Sequence, residues 1–242
     1  MRVAVISDVH GNARALEAVL AALEHAGTDT LWCLGDTVGY GARPNECCAL
    51  VESAADLALA GNHDLVVAGV LGIAEFSHDA AAAARWSREH LGAAARAWLS
   101  GLEPQAEAEG IELYHGSPRD PVWEYVLSEY VAVAALEATS SPAVLVGHSH
   151  VAHALAVAGC DVVGGLAPAG SSVSFADRRW LLNPGSVGQP RDGDPRAAYI
   201  VLDLDQRVAE FHRVDYDVAG TQSEIREAGL PESLASRLER GE

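Results

Sequence analysis

Five times along this chain, a short apolar run ends in Ser, Gly or Tyr and is followed at once by a residue able to hold a cation. VAVIS (3–7) precedes Asp8 and His10, and LWCLG (31–35) precedes Asp36. LALAG (57–61) precedes Asn62 and His63, IELY (111–114) precedes His115, and AVLVG (143–147) precedes His148 and His150. Runs of this length dominated by Val, Ile and Leu read as buried strands. Helical patterns separate several of them. Residues 13–25 carry apolar side chains at helical spacing behind Asn12 as an N-cap. Residues 44–53 open on Pro44, a favoured first-turn residue. Residues 79–91 and 93–102 read as a helical pair. Strands alternating with helices predict an α/β layered domain. In such sheets ligands collect beyond the carboxyl ends of the strands, which is where all five polar clusters fall.

The last third is patterned differently. Residues 180–182, 198–203 and 208–214 read as strands, the last two joined as a hairpin around Asp205-Gln206. Residues 223–240 read as a terminal helix. No repeat, low-complexity block or linker divides the chain, so a single domain over 1–242 is expected.

Composition narrows the function. With 242 residues, 49% of them hydrophobic, the chain can bury one sizeable core or two small ones. The longest nearly apolar run, 65–74, is too short to cross a bilayer, and the opening MRVAVISDVHGN lacks the apolar core of a signal peptide. A cytoplasmic protein without membrane association is expected. The cysteines (Cys33, Cys47, Cys48, Cys160) form no C-x-x-C pair, so neither a zinc ribbon nor a redox motif is present. All 16 basic residues are arginine, which excludes a Walker A lysine, a Schiff-base lysine and a lysine general base. A net charge of −18 argues against extended nucleic-acid binding. A small phosphorylated substrate is still compatible if bound cations reverse the sign locally.

The strand-end residues are Asp8, His10, Asp36, Asn62, His63, Asp64, His115, His148 and His150. Carboxylates, imidazoles and one amide suit Mn²⁺, Fe²⁺, Zn²⁺ or Ni²⁺. Two such ions about 3.5–4 Å apart can clamp the attacking and leaving oxygens of a phosphate ester. Each cluster alone has an ordinary reading as a polar turn, a helix cap or a satisfied surface histidine. Five of them at five strand ends outweigh that reading.

The blocks SDVHGN (7–12), LGD (34–36), GNHD (61–64), HGS (115–117) and GHSH (147–150) together resemble the calcineurin-like metallophosphoesterase superfamily. NPGSVG (183–188) is similar to its small bacterial phosphodiesterase branch. The resemblance implies a four-layer α/β/β/α sandwich, two packed mixed β-sheets flanked by helices. It implies that Asp8, His10 and His150 hold one metal, that Asn62, His115 and His148 hold a second, and that Asp36 bridges them. The implied cofactors are two divalent ions, manganese first, with iron, zinc or nickel as alternatives. A metal-bridging hydroxide would attack phosphorus, and His63 would act as general acid with Asp64 orienting its ring. The implied activity is hydrolysis of phosphate esters, as a phosphodiesterase or phosphatase, on small nucleotide-type substrates.

Departures from the superfamily's other branches matter. Protein Ser/Thr phosphatases continue the bridging block as G-D-x-V-D-R-G; here it reads GDTVGYG (35–41), with Tyr40 where the phosphate-holding Arg would stand. Residue 39 is Gly, not the tyrosine ligand of purple acid phosphatases. A phosphoprotein phosphatase is therefore an alternative of lower rank. So is a non-catalytic scaffold like the retromer subunit of this superfamily, which lacks the key histidine retained here as His63. Substrate contacts are expected from Asn12, Tyr40, Arg119 and Arg191, with Arg43 and Asn45 near the cleft; arginine grips phosphate bidentately. In VGHSHVAH (146–153), His148 and His150 share a face of an extended segment, while His153 has the other parity and reads as a structural or rim residue. A homo-oligomer is left open.

Overall fold

Alternation along the first strand sets the layers. In β1 (Arg2–Ile6), Val3 and Val5 join one apolar cluster, while Ala4 and Ile6 join another. The first cluster is the interior of a sandwich. It also holds Leu113 of β5 (Ile111–Tyr114), Leu145 of β6 (Ala143–Leu145) and Leu182 of β10 (Trp180–Asn183). The second cluster packs β1 against Leu16 and Val19 of α1 (Ala13–Ala26) and Cys47 and Val51 of α2 (Pro44–Ala54). On the far side, Val144 and Val146 meet Ala132, Ala135 and Leu136 of α6 (Glu129–Glu137). A period of two along each strand thus yields helix, sheet, sheet, helix. Each fully buried leucine, such as Leu16, Leu113, Leu145 or Leu182, contributes roughly 1.5–3 kcal/mol.

The computed structural model describes residues 1–158 and 161–242. Cys160 lies outside the described residues. One six-stranded sheet has the order β3-β2-β1-β11-β12-β9, where β2 is Thr30–Cys33, β3 Leu57–Ala58, β9 Ser172–Ser174, β11 Ala197–Asp203 and β12 Val208–Val214. The other runs β4-β5-β6-β10-β7-β8, with β4 Gln105–Ala108, β7 His153–Ala158 and β8 Asp161–Leu166. β1, β2 and β3 are parallel, as are β5, β6 and β10, and antiparallel strands flank both sets. The parallel strands deliver the five polar clusters to the carboxyl edge of the two sheets. No helix is long and apolar enough to cross a membrane among the described residues.

Most expected elements are present, with corrections. The helix expected over 223–240 is two pieces, α7 (Val218–Glu227) and α8 (Glu232–Ser236). Gly229 enters the left-handed region at φ 69°, and Pro231 cannot continue a helix. The strand expected over 57–61 shrinks to β3, because Asn62 already starts α3 (Asn62–Ala68). The helical pair is α4 (His78–His90) and α5 (Ala93–Ser100). The β11–β12 hairpin closes where Asp203 Oδ1 accepts the Gln206 amide at 2.8 Å. Strands β4, β7, β8 and β9 and helix α6 carry no strong pattern in the sequence.

Candidate metal centre and the pocket beside it

The turns after β1 and β2 are sewn together by backbone hydrogen bonds. Asp8 N donates to Gly35 O at 2.9 Å, His10 N to Asp36 O at 2.8 Å and Gly11 N to Thr37 O at 3.0 Å. This pairing is accompanied by unusual backbone geometry. Asp8, His10, Asp36, Tyr40, His148 and His150 all have φ between 50° and 63°. A non-glycine residue in this region costs of order 1–3 kcal/mol and tends to mark functional sites. Two glycines make room for the packing. A Cβ on Gly39 would collide with the His63 ring, and one on Gly61 with the Asp36 carboxylate.

Three imidazoles are fixed in the same way. His10 Nδ1 lies 3.1 Å from Val38 O, His115 Nδ1 2.9 Å from Leu34 O, and His150 Nδ1 2.6 Å from Gln189 O. A carbonyl oxygen can only accept, so each Nδ1 carries the proton and each Nε2 offers a lone pair. Those lone pairs converge. His10 Nε2 and His150 Nε2 are 2.9 Å apart; His115 Nε2 lies 3.3 Å from His148 Nδ1 and 3.2 Å from Asn62 Oδ1. Asp8 Oδ1 is 3.4 Å from His150 Nε2 and 3.8 Å from His10 Nε2. Asp36 Oδ2 is 3.5 Å from both His10 Nε2 and His115 Nε2.

Lone pairs aimed at one another in a buried site repel unless a cation lies among them. Asp8 Oδ1 and Asp36 Oδ2 are buried with no hydrogen-bond partner, which is costly for a carboxylate. Burial pushes the Asp8 carboxyl up to about 7 and Asp36 well above its ordinary value. It holds His10 and His150 well below theirs. Neutral imidazoles and carboxylates whose charge lacks a counterion form a donor set that fits divalent cations. Asp8, His10 and His150 form one grouping and Asp36, His115 and His148 another; a third joins His10, Asp36 and His63.

His63 differs from the other histidines. It is buried, its Nδ1 has no hydrogen-bond partner, and its ring packs edge-on against His10 at 4.8 Å. Burial, then the charge of Arg191, holds it well below the ordinary imidazole value. The expectation that Asp64 orients this ring is not what the geometry gives. Asp64 accepts the backbone amides of Thr37, Val38 and Gly61 at 3.0–3.2 Å, so it clamps the Asp36 loop against α3.

The NPGSVG loop holds the centre from behind. Asn183 Nδ2 donates to Gly147 O at 2.7 Å, and Ser186 Oγ donates to Asp8 O at 2.7 Å. Beside the centre lies a cavity of about 450 Å³ whose lining includes Asn62, His63, Tyr40 and Arg191. Asn12 is committed elsewhere, as N-cap to Ala15 and partner to Gly188 O and Thr221. Arg119 pairs with Glu124 at 3.2 Å and is not among the cavity-lining residues. Arg43 is bound to Glu46 and Glu224, and Asn45 to the backbone of His90 and Gly92. His153 is buried and starts β7. The sequence reading missed Phe76, Trp123, Tyr125 and Arg237, which also line the cavity. No strand-end rule points to them, because they come from loops and from the broken terminal helix.

Two mixed sheets with carboxylates and imidazoles gathered at their common edge define a metal-binding α/β sandwich. Residues 1–207 match the calcineurin-like phosphoesterase superfamily domain, and the chain belongs to that superfamily. It is 40% identical to a metallophosphoesterase from Sphaerobacter thermophilus of known crystal structure, covering 100% of this chain and 99% of that one with a TM-score of 0.91. An uncharacterised protein of Methanocaldococcus jannaschii is 35% identical over 98% of this chain and 96% of its own length. A hypothetical protein from Pyrococcus horikoshii shares the fold at 22% identity and a TM-score of 0.80, covering 100% of this chain and 98% of that one.

Proposed function

We propose that this chain hydrolyses phosphate esters of small, nucleotide-type molecules with two divalent cations as cofactors, manganese first. The observation that carries the reading is Asp36 Oδ2, unpartnered and equally distant, at 3.5 Å, from the Nε2 atoms of His10 and His115. An oxygen so placed suits a ligand shared by two ions. Asp8, His10 and His150 would hold one, and Asn62, His115 and His148 the other. Bound there, the cations would neutralise phosphate charge and lower the pKa of water toward neutrality.

The chain's own groups do the rest. His63, edge-on to His10, is the proton donor to the leaving oxygen. Its burial disfavours the imidazolium by itself, so its proton is favoured by the anionic phosphate that enters beside it. Arg191 orients that phosphate and rests over the Tyr40 ring, 5.6 Å from its centroid. Purified protein of known metal content, assayed against bis(p-nitrophenyl) phosphate, p-nitrophenyl phosphate and a nucleotide panel with Mn²⁺, Fe²⁺, Zn²⁺ and Ni²⁺, tests the reading. Turnover of at least one ester, dependent on added metal, is expected. No turnover under any metal would sink it.

A further inference from the structure

Arg191 and Arg237 come from distant parts of the chain, yet both donate to one atom. Arg191 Nη2 reaches Gln189 Oε1 at 2.8 Å, and Arg237 Nη1 reaches the same oxygen at 3.3 Å. Both guanidinium groups line the cavity beside the metal centre. Among the described residues neither has a carboxylate within ion-pair distance, although the chain carries a net charge of −18 and most of its pocket-remote arginines have carboxylate or carbonyl partners. Two cations held on one amide oxygen repel each other unless an anion lies across them. Arg191 Nε is buried and has no partner at all.

The other end of the cavity is aromatic. Ring contacts run from Arg191 over Tyr40, from Tyr40 to His63 at 4.5 Å, from His63 to Phe76 at 4.4 Å, and from Phe76 to Trp123 at 6.0 Å. His63 lies midway along that series, between a cationic end and an apolar one. Arg237 follows α8, beyond the part of the chain that matches the superfamily domain. Arg191 and Arg237 are the two arginines of the cavity lining, which also includes Glu75 and Glu242.

We propose that Arg191 and Arg237, joined by Gln189, form an anion clamp spanning the reacting phosphate and a second phosphate of the substrate, and that the preferred substrates are nucleoside diphosphates or longer rather than monophosphates. Arg191 reaches the reacting phosphate and Arg237 the one beyond it, while the nucleobase lies on Phe76 and Trp123. This deepens the phosphoesterase reading and rests on it.

The test is competition against bis(p-nitrophenyl) phosphate hydrolysis by metal-loaded protein, with AMP and ADP as competitors. ADP should compete at least about tenfold better than AMP, as one added charge-assisted contact allows. Arg237→Gln should bring the two within about threefold, and Arg237→Lys should restore part of the preference. Equal competition in the unaltered protein, or a preference that survives Arg237→Gln, overturns the clamp. If neither bis(p-nitrophenyl) phosphate, p-nitrophenyl phosphate nor any nucleotide is hydrolysed under any metal, the phosphoesterase reading fails separately. Calorimetric titration of AMP and ADP into the metal-loaded protein then gives the same ratio and decides the clamp by itself.

Discussion

The candidate metal centre and the wall of the neighbouring cavity are built by opposite means. Every donor of the centre lies on a turn directly after a parallel strand or at the first turn of α3, and all are buried. Three of its imidazoles are locked by backbone carbonyls. The wall comes from the loop before α4, the loop between β5 and α6, the loop after β10 and the end of the chain. Its side chains, among them Trp123, Tyr125, Arg191 and Arg237, are half-buried or exposed. Donor geometry has to be held to a fraction of an ångström, which rigid elements provide; recognition of a variable substrate tolerates looser parts.

The largest expected effect is at the point that makes the centre one unit. Asp36→Asn retains an oxygen to accept the His63 amide, now at 2.8 Å from Oδ1, but removes the charge shared by the two donor sets. Both metals should be lost together. Turnover should fall by more than the roughly 100-fold that outer-shell changes reach. Metal analysis of the purified variant is the check; retention of one ion at full occupancy would break the idea of a shared ligand.

His63→Ala comes next and separates chemistry from metal binding. Its Nδ1 has no carbonyl lock, unlike the imidazoles of His10, His115 and His150. The variant should keep both ions and lose about 10²–10⁴ in kcat for esters with poor leaving groups, as expected for a missing general acid. Esters of good leaving groups should lose much less. Loss of a metal would instead make His63 a ligand, as its grouping with His10 and Asp36 allows.

These two regions were unequally legible in the sequence. The clustering of these residues could be read because strand-end position, residue type and order all coincide, and the burial of all of them leaves few alternative placements. A carboxylate one residue from a histidine looks like its partner, but the amides of Thr37, Val38 and Gly61 compete for Asp64 and win. Asn12 is the cap its sequence position suggests, and that cap together with Thr221 and Gly188 occupies its Oδ1 and one of its two amide N–H donors. The wall was nearly silent. Phe76, Trp123 and Arg237 meet only through tertiary packing, and the turn at Gly229-Leu230-Pro231 that redirects the chain end was read through as helix. Tyr125 stacks on His148 at 3.8 Å across a loop with no periodic pattern.

The wall's contribution should be smaller and of another kind. Trp123→Ala removes the outer aromatic ring of the cavity. Base stacking on an aromatic side chain is worth about 1–3 kcal/mol, so KM for nucleotide substrates should rise about tenfold while kcat changes little. Steady-state kinetics on a nucleotide and on p-nitrophenyl phosphate make the check. An equal rise for both would mean that Trp123 shapes the cavity without receiving the base.

The smallest effect tests where the centre ends. His153 is the third histidine of VGHSHVAH, three residues past His150, and it starts β7 buried, with Nδ1 toward Val151 O at 3.0 Å and Nε2 unpartnered. Burial lowers its pKa to about 4. The folded protein therefore prefers the neutral ring, while the unfolded chain takes up a proton near pH 6.5. Stability from this group is intact above pH 6.5, declines as pH falls toward 4, and levels off below. Between pH 7 and pH 5 the loss should be about 2 kcal/mol, since each tenfold change in a protonation equilibrium is worth about 1.4 kcal/mol. His153→Asn, which keeps a donor for Val151 O, should lack that slope. Denaturant unfolding of metal-free protein and variant at the two pH values isolates it, because the other buried histidines cancel in the difference. Parallel pH dependences would show that His153 titrates freely. A variant that lost metal would instead extend the centre one residue into β7.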